Sequence, residues 1–277
     1  MSSFSKNQYF LIIFTVILTA LIYLAPRQVS TAKDAVVPEK AVEFSFEDLL
    51  NKAKTTLPED EMNKVKNFAA SVGKDKSNLD SIVKIFEHAN MPALAGYYKE
   101  KLAVEQPTEK NWMNTGDHYF DAFRVANDSM ELKACVEKAI MCYSKVLEIN
   151  PKNLDAKTDL GVCYTEGTSN PMQGISLLRE VLAVNPKHEM AQLNLGFLAV
   201  KSGQFEKALA RFDTVLTINP KNTEVYSYIG NVYLKKGDKE KAIVNFEKFK
   251  SFLKDTLKIT QVENYIKQIK SSKEQIN

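Results

Sequence analysis

Large apolar side chains recur along this chain in paired amphipathic stretches, and each pair repeats every 34 or 35 residues. Pro151, Pro186 and Pro220 stand 35 and 34 residues apart, each after an Asn, and Gly161, Gly196 and Gly230 keep the same steps. Around the glycines lie Leu160/Tyr164, Leu195/Ala199 and Ile229/Tyr233; then come Gly174, Ala208 and Ala242, and after them Leu178, Phe212 and Phe246. A unit of this size with two amphipathic helices is a hairpin that cannot bury its apolar face alone and must stack on its neighbours. Small residues in fixed columns allow close crossings, while the large ones around them interdigitate. The residue before each Pro is pushed out of the α region, which ends the second helix.

These columns, with the signatures Gly203-Gln-Phe-Glu-Lys-Ala208 and Gly237-Asp-Lys-Glu-Lys-Ala242, resemble the tetratricopeptide repeat (TPR) family. The resemblance implies an all-α fold, a right-handed α-solenoid of helical hairpins. Full repeats read 154–188, 189–222 and 223–256. An earlier copy at 109–153 keeps Trp112, Gly116, Tyr119, Ala139, Tyr143 and Pro151 in order, but Gly116 to Ala139 is 23 residues where Gly196 to Ala208 is 12. Eleven residues are therefore inserted, around Phe123 to Lys133. Leu79, Ile82, Phe86, Ala95 and Pro107 suggest a degenerate copy at 75–108, lacking the Gly.

Capping segments flank the repeats. Residues 44–74 predict two helices, the first opened by Ser45 with Asp48 three residues on, the second by Pro58-Glu59-Asp60-Glu61. At 257–277 a last helix and tail place Leu257, Val262, Ile266 and Ile269 on one stripe amid lysines. After a short tail at 1–8, the 17 residues Tyr9 to Ala25 carry no charge. That is the low end for a spanning helix and the high end for a signal-peptide core. The reading adopted is an uncleaved anchor, with Tyr23 at the membrane interface; cleavage after Ala32 is the alternative. Residues 26–43 then form a polar tether, and the repeats stand on the extracytoplasmic, periplasmic side.

Composition and chemistry narrow the function. Charged residues make up 26% and hydrophobic ones 44%, enough for a long packed array, and the net charge of +3 is weak. Lysines after Phe246 interleave with acids and carry no aromatic platform, so no nucleic acid is expected. Cys135 and Cys142 on one helix stand roughly 10.5 Å apart, too far to bridge. Cys142 with Cys163 is the geometrically allowed pair, and three buried thiols are the competing reading. His88, His118 and His188 fall in different repeats without metal-ligand spacing. No catalytic elbow, phosphate loop or dinucleotide fingerprint appears, so neither an enzyme nor a cofactor is expected.

The resemblance assigns the concave wall to one side of each first helix. In the third repeat that side carries Met190, Leu193, Asn194, Phe197 and Val200. Thr158, Val162 and Thr165 precede it, and Ser227, Tyr228, Asn231 and Leu234 follow. An apolar groove with a few amides suits a peptide inserting large side chains; packing of the same residues against neighbouring helices is the competing reading. The carboxylate clamp of chaperone-binding TPR domains needs Lys, Asn and Arg in three successive first helices. Here Asn194 alone matches, while Thr158 and Val162 occupy polar places and Glu224 and Tyr228 basic ones. Two function classes follow. One is a membrane-tethered protein-interaction scaffold, resembling TPR subunits of bacterial cytochrome c maturation and periplasmic chaperone networks. The other is a structural homo-oligomer or envelope-complex component without a peptide groove.

Overall fold

The computed structural model describes residues 44–73, 75 and 77–271, which form thirteen α-helices and no strand. The expected anchor at 9–25, the tether and most of the C-terminal tail lie outside the described residues, and no described helix is long and apolar enough to cross a membrane. Two helices, α1 (Phe46–Thr56) and α2 (Glu59–Ser71), lead into α3 (Ser77–His88) and α4 (Pro92–Glu105). Four further hairpins follow: α5 (Glu109–Val125) with α6 (Ser129–Ile149), α7 (Leu154–Gly167) with α8 (Pro171–Val184), α9 (Glu189–Lys201) with α10 (Phe205–Ile218), and α11 (Val225–Lys235) with α12 (Lys239–Phe252). The last helix, α13 (Thr256–Ser271), buries Ile266 and Ile269 against Ala242 and Phe246. Leu257, expected on the same stripe, is 70% exposed, because it lies in the first turn of α13, before the helix meets α12.

The ends of the second helices repeat closely. Asn150, Asn185 and Asn219 sit at φ near −130° and ψ near +90°, the extended region open to a residue before Pro. Each Asn carbonyl accepts the N–H three residues on, and each side-chain Oδ1 accepts the N–H of the following Lys at 3.0–3.1 Å. Asn-Pro-Lys is thus a β-turn reinforced by an Asx turn. Two of these asparagines, each joined by the Asn three residues on, also reach back to the start of their own hairpin: Asn150 with Asn153 donates to Glu109, at 3.0 and 2.7 Å, and Asn219 with Asn222 donates to Glu189. The motif reads as punctuation in the sequence; in the structure it also clamps the hairpin shut.

Turns inside hairpins use left-handed residues. Gly203 (φ 71°) and Gly237 (φ 81°) end α9 and α11, with Gln204 and Asp238 donating their N–H groups back to Ala199 and Tyr233. Asn90 (φ 54°) does the same after α3, where Met91 donates to the Phe86 carbonyl. It stands five residues before Ala95, as Gly203 stands before Ala208, so the degenerate copy keeps this turn with the next best residue for that conformation.

Within hairpins, glycine lies where a large side chain covers the backbone. A Cβ on Gly116 would stand 2.8 Å from the Tyr143 ring, on Gly196 2.6 Å from Phe212, and on Gly230 2.9 Å from Phe246. The tightest approach joins α7 and α8: a Cβ on Gly174 would lie 2.2 Å from the Gly161 carbonyl oxygen. Gly167 is not a turn glycine like Gly203 and Gly237. It ends α7, and a Cβ there would lie 2.4 Å from Val136.

Val136 reaches it because of the insertion. The extra residues form no loop; they lengthen both helices, α5 to 17 residues and α6 to 21, against 14 each for α7 and α8. Asp128 caps α6 by accepting the N–H groups of Met130 and Glu131. Phe123 is buried edge-on to Phe120, and Val136 lies in the same core with Cys135, Cys142 and Cys163. All three cysteines are free and buried, and burial pushes the Cys135 thiol up to about 12 and the other two higher still. No Cys142–Cys163 bridge forms.

Gly174→Ala should destabilise the array by about 1–3 kcal/mol or more, because backbone on both sides must move. Gly73→Ala, where nothing lies within 4 Å, should leave thermal unfolding unchanged or slightly raised. Thermal melts by circular dichroism check both.

Candidate functional site

The first helices stand next to one another along the array. His188, the N-cap of α9, accepts the Ala191 N–H on Nδ1 and pairs through Nε2 with Asp155 of α7 at 3.1 Å. Phe197 of α9 meets Tyr228 of α11 edge to face at 4.9 Å. His188 is therefore a link between repeats rather than a free turn residue.

The residues expected on the wall divide sharply by burial. Thr158 is buried, its hydroxyl donating to the Leu154 carbonyl at 2.8 Å, and Val162 is buried beside it. Both pack between helices and offer a partner nothing. Leu193 is also buried, in one core cluster with Phe212, Val215 and Ile229. Phe197, Val200 and Tyr228 cover that cluster from outside and stay half-exposed. The Phe197 ring packs 5.6 Å from Phe212 and Tyr228 lies 5.9 Å from it, so the two outer rings close over a core ring. Met190 is 48% exposed at one edge, Asn231 is exposed, and Leu234 leans on the α12–α13 cluster. Asn194 donates to the Met190 carbonyl at 2.8 Å and Ser227 to the Glu224 carbonyl at 2.7 Å, so these polar groups are turned onto their own helices. The structure thus joins Phe197, Val200 and Tyr228 into one apolar surface over Leu193 and sets Met190, Asn231 and Leu234 around it.

A second feature escapes the reading by apolar columns. Asp117 and Asp121 on α5, and Asp155 and Asp159 on α7, are spaced i,i+4, which places like charges side by side on each helix. Burial, then the charges of Asp117 and Asp155, push the Asp159 carboxyl from 3.8 to about 7. Asp117 is also pushed up by burial, opposed by the Tyr143 hydroxyl that donates to it at 3.0 Å. Burial holds His118 below its ordinary value despite Glu87 at 3.3 Å. The first-helix surface is therefore acidic over α5 and α7 and aromatic over α9 and α11. The paired i,i+4 acids on consecutive first helices were the available signal in the sequence. Among the described residues no three His, Cys, Asp or Glu side chains converge as metal ligands.

Comparison with known proteins fits this geometry. A family model of the TPR repeat matches residues 198–237, from the end of α9 through α11. A solved tetratricopeptide repeat protein from Parabacteroides merdae superposes with a TM-score of 0.58 at 18% identity, over 83% of this chain and 88% of that one. PilW, described as a widely conserved type IV pilus biogenesis factor, gives 0.53 at 17% identity, over 72% of this chain and 92% of its own. Among curated proteins no sequence matches the chain. The likeness to these two structures is one of fold.

The raised Asp159 pKa has a signed consequence. Between about pH 4 and 7 the folded chain keeps a proton there that the unfolded chain has lost, so stability falls as pH rises through that window. Asp159→Asn should raise the melting temperature above pH 7 and lose that advantage near pH 4. A gain independent of pH would show that charge is not the cause.

Proposed function

We propose that this chain, a tetratricopeptide repeat protein, is a scaffold that holds partner proteins by an apolar peptide segment laid across α9 and α11. TPR arrays serve protein–protein interaction, and the half-exposed Phe197 and Tyr228 rings are the observation that supports placing the contact here. Aromatic side chains lose little conformational freedom on binding, and a few such anchors supply most of the energy of an interface. Exposed Met190 can adapt to a partner side chain, and the Asn231 amide can bond its backbone. Leu193 contributes as the floor that fixes the rings, and Thr158 and Val162 as core. The acidic surface of α5 and α7 favours a partner with basic residues on one side of its apolar segment.

The reading includes a place for the scaffold. The charge-free run Tyr9–Ala25 supports attachment to a membrane, with the repeats on the extracytoplasmic side and the polar residues 26–43 as tether.

Peptides selected from a random displayed library against the full chain give the test. Phe197→Ser with Tyr228→Ala should weaken the selected peptides by about thirtyfold, the equivalent of ~2 kcal/mol, while circular dichroism shows retained helicity. Undiminished affinity in the folded variant would move the site elsewhere. In cells the chain should resist carbonate extraction and be digested by protease added to spheroplasts; release by carbonate would overturn the anchored placement.

A further inference from the structure

On the outer side of the array, between the second helices α8 and α10, a groove of about 530 Å³ opens down to α9. It lies beside a small core cluster. The cluster joining α8 to α9 holds Leu178, Val181, Ala191 and Leu195, whereas the cluster through α5, α6 and α7 is continuous and rich in aromatic residues. Gly174 draws α8 hard against α7, and the space towards α10 is left unfilled. Half-buried Ile175 and Leu198 form an apolar floor, and Met172, 65% exposed, stands at its rim.

The walls are basic. Arg179, Lys201, Lys207 and Arg211 line the groove, and no Asp or Glu does. None of the four forms an ion pair among the described residues, whereas other lysines of the array do, as Lys157 with Glu180 and Lys236 with Glu206. Lys207 donates to Gln204 at 2.7 Å and Arg211 to Gln192 at 2.8 Å, neutral partners that leave the charges uncompensated. Arg211 is half-buried, and its pKa is lowered first by burial and then by Arg179 facing it. Two guanidinium groups that repel each other over an apolar floor are relieved by a carboxylate placed between them, which each can bind through parallel N–H donors.

We propose that this groove is a second docking site, separate from the α9–α11 surface, for an acidic peptide segment carrying an apolar residue. The acidic side chains would lie between Arg179 and Arg211 and towards Lys201 and Lys207, with the apolar side chain on Ile175 and Leu198. The recess favours a narrow peptide over a flat membrane surface, and the lack of aromatic residues on its walls disfavours nucleic-acid bases, which need a stacking platform.

The full chain, kept in neutral detergent, is titrated by fluorescence anisotropy with a labelled peptide of alternating Glu and Leu. Saturable binding is expected, falling about tenfold or more between low and physiological salt. Arg179→Glu with Lys207→Glu should remove a further factor of about ten, and a peptide with Gln in place of Glu should not bind. Should the double variant lose helicity, Lys201→Glu alone, at an exposed position, carries the same expectation. Equal binding of the Gln peptide, or unchanged affinity in a folded charge-reversal variant, overturns the site. Charge-dependent binding of labelled polyuridylate with none of the peptide also overturns it. Phe197→Ser with Tyr228→Ala should leave this binding unchanged, so failure of one docking site is read separately from failure of the other.

Discussion

A missing Cβ sets the geometry of this array. In three of the four hairpins from α5 to α12, a first-helix glycine lies under a large side chain, Gly116 under Tyr143, Gly196 under Phe212 and Gly230 under Phe246. At the α7–α8 crossing, glycines on both helices let the backbones themselves meet. The dispersion and burial gained by a ring lying flat on backbone depend steeply on that distance. A methyl group at any of these positions would push the helices apart and break the register of every hairpin stacked beyond it. The Asn-to-Glu clamps at Glu109 and Glu189 fix a further freedom, the position of those two turns against the start of their own hairpins.

This geometry separates core from surface and so selects the candidate sites. Fixing Phe212 under Gly196 gives Phe197 and Tyr228 a ring to close on, and they remain half-exposed because no further helix covers them. On the outer side, pulling α8 onto α7 leaves the space above α9 that four unpaired cations surround. The two surfaces differ in chemistry: one is aromatic beside acids, the other basic over aliphatic side chains. A scaffold with both could hold two unlike segments at once, which raises avidity without a new contact.

Much of the fold was legible because the constraint repeats. Gly161, Gly196 and Gly230 mark the same crossing three times, and period alone separates them from glycines in turns. The insertion was legible as a length but not as a shape, because nothing in its spacing says that α5 and α6 both grow. The role of Gly167 is hidden for the same reason: its neighbour Val136 comes from that lengthened helix, more than 30 residues earlier. Asn90 hides the turn of the degenerate copy, since a left-handed Asn does the work of the glycine found at 203 and 237. At the candidate surface, periodicity groups the expected residues on one side of α9 and α11 but does not say how deeply each residue sits. Leu193 and Phe197 lie one turn apart, yet Leu193 sits inside the cluster with Phe212 and Ile229 while Phe197 packs on it from outside. The Asp159 and Arg211 environments depend on charges from neighbouring repeats, which no single helix displays.

Hydrogen exchange measured by mass spectrometry, with and without a selected apolar peptide, tests most directly whether the side-by-side first helices form the working surface. Slowed exchange in α9 and α11, centred on residues 190–200 and 225–234, with α8 and α12 unchanged, is the expected result. Protection confined to the second helices, or spread evenly over all thirteen, would contradict it.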